Sequence, residues 1–117
     1  MQRFIFFIYF IVLLITVAAC AERKSAQAAV DSRLVEGEVL YKANCKVCHA
    51  QAINGAPIPG NKKMWGARAQ QGITTLVQHA SEGYELMPAK GGNNALTDQQ
   101  LELAITFMLS KIATDNE

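Results

Sequence analysis

The arrangement of apolar positions divides the chain into an uncharged leader and a region of helical periodicity. After Met-Gln-Arg, no charged side chain occurs from Phe4 to Ala21. In the remainder no segment sustains the strict alternation of a half-buried strand, so an all-α fold with no significant sheet is expected. Four helical stretches are predicted. The first runs from about Ser32 to Cys45, turning Leu34, Leu40 and Tyr41 inward, with Gly37 allowing a close crossing. The second starts after Asn61, a candidate N-cap, and ends near Gly72, carrying Met64, Trp65 and Arg68. The third, Ile73 to about Glu82, sets Ile73, Leu76, Val77 and Ala80 on one face and stops at Gly83. The fourth opens on the capping box Thr97-Asp98-Gln99-Gln100 and spaces Leu101, Ala104, Ile105, Met108 and Ile112 along one side. Turn-rich loops, Asn54 to Gly60 and Glu85 to Asn94, separate these stretches.

The leader reads as an export device. A positive start, an apolar core and the small residues Val17-Ala18-Ala19 before Cys20 make residues 1–19 a secretory signal. The plainer alternative is an uncleaved membrane anchor, because a run near 18 uncharged residues reaches the lower limit for spanning a bilayer. Val17-Ala18-Ala19-Cys20 also resembles the bacterial lipobox, with Val where Leu is usual; that resemblance implies that Cys20 becomes the lipidated first residue of the mature protein. Cleavage after Ala21 or after Ala28 would instead discard Cys20. Residues 20–30, small and polar, form a tether, and residues 31–117 form one domain.

Charge changes the picture little. One of the eleven basic residues, Arg3, lies in the leader, leaving ten against ten acidic ones. Nothing in that balance points to nucleic acid. Size matters more: some 80 residues from Asp31 to Lys111 make a small core, which a bound apolar cofactor would enlarge.

Candidate chemistry centres on Cys45-Lys46-Val47-Cys48-His49. C-x-x-C-H is the attachment pattern of c-type haem. Cysteines three apart lie about one helical turn apart, so both sulfurs reach one edge of a porphyrin, and the adjacent imidazole of His49 can reach the iron. In an oxidising compartment the pair could be a disulfide, but the adjacent histidine favours haem. Met87 is the candidate sixth ligand: it precedes Pro88 in a loop rather than lying on an apolar face, and a thioether suits ferrous iron. Met64 and Met108 read as core fillers, and His79 as a solvated helix histidine. A thiol oxidoreductase lacks its strand–helix–strand setting, and a zinc site lacks two further well-spaced ligands.

From about Val35 to Leu109 the chain resembles the class I c-type cytochromes, and within them the small bacterial cytochrome c5 group. The landmarks are Gly37 and Tyr41 before the Cys45–His49 motif, then Gly55-Ala56-Pro57, Gly60, Trp65-x-x-Arg68, Gly72, Leu76, Ala80 and Gly83. Met87-Pro88-Ala89-Lys90-Gly91-Gly92 and the helix ending Ala104 to Met108 complete them. The resemblance implies a cytochrome c fold of about four helices around one covalent haem. First and last helices would cross near it, with Gly37 against the Ala104–Met108 face. It implies that the Pro57 carbonyl holds the second nitrogen of His49, and that Trp65 and Arg68 lie near the propionate edge. Core packing for Trp65 and an exposed charge for Arg68 are the plain alternatives. Where the cytochrome c5 group often carries a disulfide after this loop, Asn93 and Leu96 stand here.

The function these readings imply is a periplasmic monohaem electron carrier, not an enzyme, moving single electrons between a respiratory donor and an oxidase or reductase. The alternative is a haem c subunit of a larger dehydrogenase or oxidase complex, marked by a broad apolar surface. Lys46, Lys62, Lys63 and Lys90 read as ordinary solvated lysines, or else as a cluster that steers an acidic partner.

Overall fold

Two of the helices begin on side chains that satisfy their first free amides. The computed structural model describes residues 32–114 together with positions 27 and 29. The leader 1–19 and Cys20 lie outside the described residues, as does the tether apart from Gln27 and Ala29, whose backbones are helical. The chain divides into two units, 1–32 and 33–117, and the second holds every element below.

Helix α1 occupies residues 33–44 of this unit. A turn at Cys45 leads into the single-turn helix α2 (Lys46–His49) and a 3₁₀ turn (Ile53–Gly55). Helices α3 (Lys62–Ala69) and α4 (Ile73–Glu82) follow, then a second 3₁₀ turn (Ala89–Gly92) and the long helix α5 (Asp98–Thr114). Among the described residues there is no sheet, and the bridge between Tyr84 and Met87 only closes a short turn. The all-α expectation holds, with one short helix added to the four predicted.

Local chemistry accounts for the boundaries. Asn61 Oδ1 accepts the Met64 amide at 3.1 Å, opening α3. At α5, Thr97 Oγ1 accepts from the Gln100 amide at 3.3 Å while Gln100 Oε1 accepts from the Thr97 amide at 3.0 Å, a reciprocal capping box. Helix α3 ends at Ala69, short of the expected Gly72. There the amides of Gln71 and Gly72 bond back only three residues, to Arg68 and Ala69, tightening the chain out of the α-helix.

Helix α5 packs along α4 and meets α1 at close range. A β-carbon on Gly37 would collide with the Leu103 carbonyl and sit 3.1 Å from Phe107 Cβ, so glycine is what lets the two backbones approach. The Tyr41 and Phe107 rings meet at 5.4 Å beside that contact. Leu76, Ala80, Leu96, Leu101, Ala104, Ile105 and Met108 fill the core with them. Leu40, Ile73, Val77 and Ile112 lie at its edge, half-buried.

Candidate functional site

Helices α2 to α5 and the loops between them line one apolar cleft that is open to solvent. Its apolar wall is built by Leu76 and Ala80 of α4 with Leu101, Ile105 and Met108 of α5. Met108 is thus both core filler and cleft wall.

Cys45 and Cys48 line one side of the cleft as free thiols. The Cys48 and His49 amides bond back to the Cys45 carbonyl at 3.2 and 3.0 Å, coiling the motif into one turn that presents both sulfurs together. Burial pushes the Cys45 thiol up to about 11, with the neighbouring Cys48 adding to the effect. His49 is only 7% exposed, and its Nδ1 lies 3.0 Å from the Pro57 carbonyl oxygen. A carbonyl can only accept, so Nδ1 carries the proton and Nε2 is left as the basic nitrogen. Burial lowers the imidazole's proton affinity while the Pro57 bond opposes it. The outcome is a neutral ring, the form that binds a metal.

Trp65 and Arg68 line the cleft from α3. Trp65 is 3% exposed, donates its indole N–H to the Ile58 carbonyl at 2.9 Å, and lies nearly parallel to His49 with ring centres 6.5 Å apart. It is a packed wall that also ties down the loop carrying Pro57. Arg68 Nη1 donates to the Met64 carbonyl at 2.9 Å, and Nη2 lies 3.9 Å from a Glu85 carboxylate oxygen. The spacing Trp65-x-x-Arg68 revealed neither of these bonds, because both partners are backbone carbonyls or loop residues.

Met87 lines the same cleft, half-buried, from the loop that follows α4. Tyr84 and Met87 exchange backbone hydrogen bonds of 3.0 and 2.9 Å, and Glu85 sits at φ +52° to make the turn. Gly83, at φ +89°, precedes it; a β-carbon there would lie 3.1 Å from the Met87 carbonyl and the Ala89 amide. Glycine before and proline after the turn are the sequence signals for this geometry. Two expectations change here. His79 is not simply solvated: it is half-buried, lines the cleft and stacks on Tyr84 at 4.1 Å. Lys90 is not a free surface lysine either, since its Nζ donates to the Leu96 carbonyl at 2.7 Å. Lys46, Lys62 and Lys63 are exposed.

These residues fit a haem. Two thiols one turn apart, a tethered imidazole, a thioether and an aliphatic wall match a flat apolar group attached through sulfur. Among the described residues no cluster of three His, Cys, Asp or Glu side chains could hold a bare metal ion, so a zinc site lacks its ligands.

Comparison with known proteins agrees. The family described as Cytochrome C oxidase, cbb3-type, subunit III matches residues 32–108. Cytochrome c-555 of Prosthecochloris aestuarii is 40% identical over 87 residues, covering 68% of this chain and 88% of that protein. Cytochrome c5 of Ectopseudomonas mendocina is 34% identical over 67 residues, covering 56% of this chain and 77% of that protein. A solved structure described as an electron transfer complex of nitrite reductase with cytochrome c contains a chain that superposes with a TM-score of 0.62. It has 34% identity and covers 66% of this chain and 94% of that one. Relatives with different names match, so the kinship reaches class I cytochromes as a group rather than the cytochrome c5 subgroup alone. The cysteine spacing supports covalent attachment of haem c. The chain belongs to the family that matches residues 32–108, and is a small all-α class I c-type cytochrome.

Proposed function

We propose that the chain passes single electrons as the haem-bearing component of a larger oxidase or reductase assembly, on the periplasmic side of a bacterial membrane. The observation that carries this reading is the convergence of paired thiols, a tethered neutral imidazole and a thioether on one apolar cleft. Cys45 and Cys48 would hold the haem, with His49 through Nε2 and Met87 through its sulfur as the iron ligands. Bound there, the haem supplies an iron that gains and loses one electron. Pro57 fixes the tautomer and aim of His49, Trp65 backs its ring, and Arg68 stands at the propionate edge. Leu76, Leu101, Ile105 and Met108 exclude water from the group. With His49 and Met87 both serving as ligands, the iron would keep no position open to substrate, so bond-making catalysis is not expected.

An apolar rim supports docking into an assembly. Val47 and Leu86 are 71% and 67% exposed, and Ile53 and Tyr84 also stand out of the core. Ile53, Tyr84 and Leu86 line the cleft as well, so the greasy surface flanks its mouth. The matching family and the nitrite reductase complex point the same way. A second reading, the free periplasmic carrier, is favoured by one observation: the match to the cytochrome c-555 relative spans 88% of that protein. Its landmarks, from Gly37 to Met108, ally it with the cytochrome c5 group in particular. Among the described residues no helix is long and apolar enough to cross a membrane. Attachment would fall to Cys20 or to the leader.

Haem staining of solubilised membranes after native electrophoresis separates the readings. Co-migration of this chain with oxidase or reductase activity is expected. A haem band at the size of the isolated chain would instead select the free carrier, and a chain without haem stain would overturn both.

A further inference from the structure

We propose that Lys90 and Asn93 are positioning residues that hold the Met87 loop over the cleft by bonding it to α1 and to the start of α5. The inference rests on the reading that Met87 ligates the iron. Two separate links carry it. Lys90 Nζ donates to the Leu96 carbonyl at 2.7 Å, a short charge-assisted bond to a buried residue one position before the Thr97 cap of α5. Asn93 Nδ2 donates to Asn44 Oδ1 at 2.8 Å; Asn44 in turn donates to the Leu40 carbonyl at 3.0 Å and immediately precedes Cys45. Asn93 Oδ1 also accepts the Ala95 amide at 3.1 Å, so its side chain is held at both ends.

The backbone gives these links something to restrain. Lys90 and Gly91 lie at φ +54° and +62°, a kinked passage that a lysine adopts at a steric cost which contacts of its side chain must offset. Asn44, Lys90 and Gly91 all line the cleft, so the links close its edge between the thiol side and the methionine side. The Tyr84–Met87 turn fixes the loop before the thioether, and Lys90 and Asn93 fix it after. Withdrawing Met87 requires one half of the loop to come free. Breaking the second anchorage raises the population of loops that have released the sulfur, and apparent affinity for a competing ligand rises in proportion.

The test is an absorbance titration of the ferric holoprotein with imidazole. Lys90→Met and Asn93→Ala are each expected to bind imidazole about tenfold more tightly than the unsubstituted protein, about 1.4 kcal/mol. Lys90→Arg should restore weak binding. Arg33→Ala, which removes an ion pair to Glu102 of 2.7 Å between residues that do not line the cleft, should leave the affinity unchanged, so that general loss of stability is told apart from loop release. Asn93 is exposed, and Asn93→Ala alone decides the matter if Lys90→Met does not accumulate. Unchanged affinity in both variants, with the parent still binding imidazole far more weakly than Met87→Ala, overturns the positioning role. A parent that already binds imidazole as tightly as Met87→Ala strikes the ligation reading itself.

Discussion

His49 and Met87 owe their assigned roles to different physical constraints. The imidazole is fixed by one acceptor, the Pro57 carbonyl, and kept neutral by burial. The thioether has no such partner and depends on the turn that carries it, pinned at Tyr84 and stiffened by Gly83 and Pro88. Replacing Met87 by alanine should therefore leave covalent haem and the helical circular dichroism intact while opening one axial position. The expected result is a ferrous protein that binds carbon monoxide, with a potential lowered by on the order of 0.1 V within the roughly 0.8 V that axial ligands span. A Met87→Ala protein with the parent's spectrum would remove the sulfur from the ligand set. At this scale the sequence was legible where chemistry is local. Cys45, Cys48 and His49 are neighbours in the chain, and the Met-Pro step marks a loop. It was illegible where a side chain answers a distant carbonyl. Lys90 reads as a surface charge until Leu96 is seen beside it, and His79 as solvated until Tyr84 folds back over it.

Helices here are bounded by groups a reader of the chain can find. Ile73–Glu82 lies between Gly72 and Gly83, and the Thr97–Gln100 box opens α5. Asn61 caps α3 as its position suggested, yet the end of that helix was misjudged, because three-residue bonding at Gln71 and Gly72 leaves no mark in composition. The single turn at Lys46–His49 is too short to show periodicity, although the cysteine spacing already required it. At the contact between α1 and α5, Gly37 lets the two backbones approach closely. Gly37→Ala drives a methyl into the Leu103 carbonyl, so a loss of about 2–3 kcal/mol is expected. For a domain of this size that lowers the midpoint of thermal unfolding by about 8 °C or more. A melt within about 2 °C of the parent would mean that the helices separate at little cost.

For the whole molecule, the proposed export, attachment and cofactor form one chain of dependence. A haem bound in the cleft would cover the apolar wall that α4 and α5 turn toward it in the 33–117 unit. That wall was visible in the sequence as the inner faces of two helices, but not as a cavity: the same apolar stripes on α4 and α5 would equally suit direct packing. Mass spectrometry of the mature N-terminus tests the attachment. A diacylglyceryl adduct on Cys20 is expected, whereas an unmodified start at Glu22 or Ala29 would mean a released protein, and an intact Met1 a retained leader. The measurement that bears most directly on the central claim is the visible spectrum of the purified, reduced protein before and after carbon monoxide. A low-spin c-type spectrum that carbon monoxide leaves unchanged is the expected result. High-spin iron, a carbon monoxide adduct or the absence of a haem band would contradict a haem held between His49 and Met87.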